Sequence, residues 1–155
     1  MKKYLYFLLP IIYVVLDHIT KFLVIKYIPY YSSIKINDYF SIVNVSNTGV
    51  AFSMFQNNNV FFIILVSLVI IFLIYFISKN KKVLTKLQTH SLLLILAGGI
   101  GNLIDRLFRG AVVDFIDIGY KEVYRWPAFN IADSCVCIGI TLFIVSILFF
   151  NKSKI

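Results

Sequence analysis

Residues 60–77 read VFFIILVSLVIIFLIYFI, an apolar run with no charge in it. A membrane-spanning helix takes roughly 20 such residues at about 1.5 Å of rise each. Three more runs are long enough to cross: about Tyr4 to Ile25, Ser91 to Phe108 and Ile131 to Phe150, each with ionisable residues in it. Composition agrees. The 155 residues are 60% hydrophobic and 14% charged, with a mean hydropathy of +0.88, whereas soluble domains run about a quarter charged. The expected fold class is an all-α membrane protein with four transmembrane helices, a single domain over residues 1–155.

Charge placement sets the expected orientation. Lys2 and Lys3 precede the first run, Lys79, Lys81, Lys82 and Lys86 fill the link between the second and third, and Lys152 and Lys154 follow the fourth. Four crossings put all three regions on one side, and the positive-inside rule makes that side the cytoplasm. All seven acids fall in the runs or in the two opposite loops. The first run resembles a signal peptide, but Asp17 and Lys21 interrupt it and no small-x-small cleavage site follows, so it reads as a retained helix. The net charge of +8 is explained by these flanks and by contact with anionic lipid, and no basic module for nucleic acid is present.

The first outer loop, about Lys26 to Asn59, holds two β-rich stretches, Ile34–Ile36 and Phe40–Val45. Asn47-Thr48-Gly49 reads as a turn in which Gly49 can take positive φ. Cys135 and Cys137 lie two apart, so on a helix they point to nearly opposite faces and read as small buried hydrophobes. His18 and His90 make no zinc pattern. No Gly-x-Ser-x-Gly elbow or P-loop is present. Gly99-Ile100-Gly101-Asn102 misses the Gly-x-Gly-Asp of one intramembrane aspartyl protease group at its last residue.

What remains is carboxylate chemistry. At about 1.5 Å per residue, Asp17 and Asp105 each lie about 20 Å from the inner start of their helices. Asp114 follows the third run and Asp133 opens the fourth, so four carboxylates converge on the outer face. Asp17 and Lys21 stand at i and i+4, as a structural ion pair does. Asn102, Asp105 and Arg106 share one helical stripe, as do Asn130, Asp133 and Cys137. Asp105 beside Arg106 reads as structural, while Arg106 suits either that role or a substrate carbonyl. Gly98, Gly99 and Gly101 read as close helix packing. Asp114 and Asp133 have no basic residue within four positions, so each needs a partner from elsewhere, and the simplest is the other. Two such carboxylates can share one proton, which is aspartic protease chemistry. The rival readings are a small carrier conducting through Asp17, Lys21 and Asp105, and an inactive scaffold.

Five blocks in order resemble the bacterial signal peptidase II family: Asp17-His18-Ile19-Thr20-Lys21, residues 47–53 (NTGVAFS), residues 98–106 (GGIGNLIDR), Val112-Val113-Asp114-Phe115 and Phe129-Asn130-Ile131-Ala132-Asp133. The family usually has Gln at the place of His18 and Ala at that of Val50. The resemblance implies an aspartic endopeptidase of the bacterial plasma membrane with its active site on the extracytoplasmic face. It would cut prolipoproteins before a diacylglyceryl-modified cysteine. It makes Asp114 and Asp133 the catalytic pair, sets Asn47, Gly49, Asn102, Arg106 and Asn130 around the substrate, and gives Asp17, Lys21 and Asp105 supporting roles. It implies a small extracytoplasmic β-cradle, for which the first outer loop is the candidate, and inhibition by globomycin. No metal or cofactor is expected, and a monomer is.

Overall fold

A computed structural model of the protein describes residues 5–49, 56, 58–121 and 123–150. Four long helices run up and down: α1 (Leu5–Tyr27), α2 (Asn59–Asn80), α3 (Lys86–Arg109) and α4 (Ile131–Phe150). Each is long and apolar enough to cross a membrane. Their starts and ends differ from the sequence reading mainly at α3, which begins five residues before Ser91. The cause is local. Thr85 Oγ1 accepts from Gln88 N at 3.2 Å, and Gln88 Oε1 accepts from Thr85 N at 3.0 Å, a capping box that starts the helix ahead of the apolar run. α2 carries past Ile77 to Asn80, and there Lys79 reaches back along its own helix to Tyr75 Oη, 3.0 Å away.

α3 is the central helix and touches α1, α2 and α4. It is the least apolar of the four and the most buried, while the others present Leu, Ile, Val and Phe outward. That is the arrangement lipid requires, with polar groups turned inward and greasy ones outward. Close approach of α3 and α4 depends on Gly98, where a Cβ would overlap the Ala132 carbonyl and Val136. Gly101 is less tight: a Cβ there would lie 3.0 Å from Asp17 Oδ2 and 3.1 Å from Ala132 Cβ. Gly99 is different: a Cβ there would lie 3.5 Å from Ile70, an ordinary contact. Cys135 is buried and Cys137 exposed, both free thiols on opposite sides of α4.

At one end of the bundle the two long connections form a four-stranded antiparallel sheet, β1 (Ser33–Lys35), β2 (Phe40–Asn47), β3 (Val112–Tyr120) and β4 (Tyr124–Arg125), in that spatial order. The cradle is therefore not confined to the first loop; half of it comes from the second. The pattern around Asp114 hid β3, because its first four residues are buried on both faces and do not alternate. Gly110, at φ 76°, ends α3 and turns the chain into β3. Val24 of α1 and Ile28 just after it pack on Val113 and Phe115 of β3, fixing the sheet to the bundle. Arg125 staples the far edge, donating to Asp117 and to Ser41 Oγ at 2.9 Å.

Candidate functional site

Two features of β3 set the site. β2 pairs with it so that Asn47 lies opposite Val112 and Val45 opposite Asp114, after a bulge between Ile42 and Val45. On the other side, Phe129 bridges to Ile116: Ile116 N donates to Phe129 O at 2.7 Å and Phe129 N returns to Ile116 O at 3.0 Å. The chain then enters α4 directly. This bridge sets Asn130 and Asp133 beside Asp114, from 16 and 19 residues away in sequence.

The two carboxylates meet through asparagines. Asp114 Oδ1 accepts from Asn130 Nδ2 at 2.8 Å and Oδ2 from Asn47 Nδ2 at 2.9 Å. Asp133 Oδ1 accepts from Asn102 Nδ2 at 2.7 Å and Oδ2 from the Asn130 backbone N–H at 3.1 Å. Asn130 thus holds both. Its Oδ1 also accepts from Asp133 N at 2.9 Å, a cap on the first turn of α4. The two carboxylates are close enough for the charge of Asp133 to act on Asp114, and Asn130 holds both. Asn130 is fully buried, and its amide donates to Asp114, Asn102 and Val113 O.

Asp114 is 3% exposed. Burial pushes its carboxyl up to about 7, and the charge of Asp133 adds to the rise. The hydrogen bonds from Asn47 and Asn130 and the charge of Lys21 oppose it.

Beneath the pair lies a second charge cluster. Lys21, with no exposed surface, ion-pairs with Asp17 Oδ2 and Asp105 Oδ2, each at 2.7 Å, and donates to Asn102 Oδ1 at 3.2 Å. That last bond fixes the Asn102 amide with its N–H toward Asp133. Asp17 Oδ1 accepts from Ala132 N at 2.9 Å, which ties α1 to the open first turn of α4. The sequence pairing of Asp105 with Arg106 is corrected. Asp105 pairs with Lys21 and Arg109 and accepts from Val113 N, while Arg106 turns the other way. Arg109 went unremarked in the sequence, although its i+4 spacing from Asp105 was legible.

Arg106 Nη2 donates to Gly49 O at 2.9 Å, and the guanidinium lies over the Phe62 ring, 5.4 Å from its centroid. It is within electrostatic reach of Asp133 and Asp114. Gly49 N donates to Asn47 Oδ1 at 2.9 Å, so the turn there is made by the Asn47 side chain. Val50 to Ser53 of that motif lie outside the described residues. Asn59 also belongs to the site and carried no sequence signal: its Nδ2 donates to Arg106 O at 3.1 Å. Among the described residues, no cluster of His, Cys, Asp and Glu is arranged to hold a metal.

Charges around the site nearly balance. Lys21, Arg106 and Arg109 face Asp17, Asp105, Asp114 and Asp133. A single proton on the Asp114–Asp133 pair makes the set neutral, which a low-dielectric surround favours.

Comparison with known proteins adds the family. The model of the family described as signal peptidase (SPase) II matches residues 9–149. The lipoprotein signal peptidase of Borrelia hermsii is 45% identical, over 92% of this chain and 89% of its own. That of Francisella tularensis subsp. novicida is 37% identical over 98% and 96%. A bacterial membrane enzyme structure obtained by the in meso method superposes with a TM-score of 0.87 at 30% identity, covering 97% of this chain and 91% of that one. With matches of this length on sequence and fold alike, the chain belongs to the signal peptidase II family of proteases.

Proposed function

We propose that this protein is an aspartic endopeptidase that removes signal peptides from prolipoproteins, cutting before the diacylglyceryl-modified cysteine. The observation that carries the reading is Asn130 holding Asp114 and Asp133 at once, one carboxylate buried and the other half-buried, at the sheet end of a membrane bundle. In this mechanism the pair shares one proton. Asp114, whose carboxyl is raised to about 7, is the member that carries it below that pH. Asp133 takes a proton from water as the water oxygen attacks the scissile carbonyl, and Asp114 donates to the developing oxyanion. The tetrahedral intermediate collapses as Asp133 passes the proton it took to the leaving nitrogen, the C–N bond breaks, and Asp114 recovers its proton from the intermediate's hydroxyl.

Asn47, Asn102 and Asn130 have their amides committed to the carboxylates, so their proposed part is to hold the pair. Contact with substrate falls to Arg106 and the backbone at Gly49. Asp17, Lys21 and Asp105 fix α1, α3 and α4 to each other around the pair. Their near-complete burial and mutual pairing argue against the carrier reading, which needs charges that open to a path. With lysines cytoplasmic, the sheet end faces outward, at the depth where a lipid-anchored cysteine holds its peptide bond. Globomycin is the inhibitor the resemblance predicts, and a monomer the working state.

The test is a gel-shift cleavage assay in detergent with diacylglyceryl-modified and unmodified prolipoprotein. Cleavage of the lipidated form alone, lost in Asp114→Asn and in Asp133→Asn, is the expected result. A folded wild type that cuts neither form rejects the reading.

A further inference from the structure

Arg106 Nε and Asn59 Oδ1 are both closed off from solvent and both without a hydrogen-bond partner. Buried polar atoms in folded proteins are nearly always satisfied, so two on touching residues need a cause. Neither is free to turn away. Asn59 Nδ2 is tied to Arg106 O, which fixes Oδ1 on the opposite side of the amide. The Arg106 guanidinium is tied by Nη2 to Gly49 O and rests on Phe62, which fixes the direction of Nε. One orphan is a donor and the other an acceptor. A peptide group offers the complement, one C=O and one N–H.

The pair also has a connection to the chemistry. From Arg106 a run of hydrogen bonds passes through Gly49 O, Gly49 N and the Asn47 amide to Asp114 Oδ2. Asn59 opens α2 and is half-buried as a whole residue. Main-chain recognition also suits an enzyme whose substrates share a lipidated cysteine more than a sequence.

We infer that Asn59 is a substrate-binding residue that, together with Arg106, holds one backbone peptide group of the signal sequence near the scissile bond. Asn59 Oδ1 accepts from its N–H, and Arg106 Nε donates to its C=O. This rests on the reading that Asp114 and Asp133 cut such a substrate.

The experiment uses full-length protein in detergent and a lipidated peptide substrate, with a set of ester analogues. Each analogue replaces one backbone N–H by oxygen, at each position within four residues of the cut. Wild type should lose roughly three- to tenfold in kcat/KM at one position beyond the others, chiefly through KM. Asn59→Leu should lose a similar factor on the amide substrate and show no further loss with that ester. Asn59→Ala is the second variant if thermal unfolding shows the leucine variant misfolded. Wild-type kcat/KM in the folded variant, or an ester loss that adds in full to the variant's own loss, overturns the inference. Either result with cleavage still dependent on Asp114 leaves the peptidase reading standing. Failure of wild type to cut any analogue or the parent peptide rejects both.

Discussion

Replacing Asp114 by asparagine should make the folded protein more heat-stable at pH 8 and slightly less so at about pH 3. The ordinary carboxyl value is 3.8, and burial first, then Asp133, raise that of folded Asp114 to about 7. A raised value means that the folded state binds the proton more tightly than the unfolded chain. The stability this contributes is present in full below about pH 4 and is lost as pH rises through about 7. About three units at about 1.36 kcal/mol each make about 4 kcal/mol lost by pH 8. Asparagine has no such proton to lose. It does present one N–H to a site where Asn47 and Asn130 both donate, so it forfeits one of two hydrogen bonds, about 1 kcal/mol. The variant should then be about 3 kcal/mol more stable at pH 8 and about 1 kcal/mol less stable at about pH 3. At about 2–4 °C per kcal/mol for a chain of this size, that is a Tm about 6–12 °C higher and about 2–4 °C lower. Thermal unfolding in detergent across this pH range measures it, with the fluorescence of Trp126, the single tryptophan, beside β4. A Tm difference that stays constant with pH, or moves the opposite way, would refute the reasoning that Asp114 is a desolvated carboxyl.

The same titration predicts that cleavage by wild type falls as pH rises through about 7, because Asp114 then loses the proton it donates; a rate still climbing at pH 9 contradicts that role. Gly98→Ala should cost about 1–3 kcal/mol and weaken cleavage, since its Cβ meets the Ala132 carbonyl one residue before Asp133, whereas Gly99→Ala should change neither Tm nor activity. Lys21→Met leaves Asp17 and Asp105 buried without their shared cation, and should cost about 3–5 kcal/mol, read as a fall in Tm or in yield of folded protein.

The apolar run at residues 60–77 and its three companions decided the membrane class, because hydropathy over about 20 residues is a local property that the bilayer reads directly. Helical spacing alone paired Asp17 with Lys21, and that pair stands in the folded protein at 2.7 Å. The order of the five motifs, matched to a family, singled out Asp114 and Asp133. What the sequence left open depended on contacts across the chain. No local pattern says that Lys21 serves Asp105 as well as Asp17, that Arg106 leaves Asp105 for Gly49, or that Asn59 reaches Arg106 O. Nor does it say that the second loop supplies β3, whose buried residues lack the alternation of a half-exposed strand. The meeting of Asp114 and Asp133 is the sharpest case. It requires Phe129 to bridge Ile116 and Gly98 to let α4 close on α3, so that Asn130 can hold both carboxylates. Residue identity supplied the donors and acceptors. Only tertiary packing could bring them within hydrogen-bond range, because that interaction acts over about 3 Å and the groups are far apart along the chain.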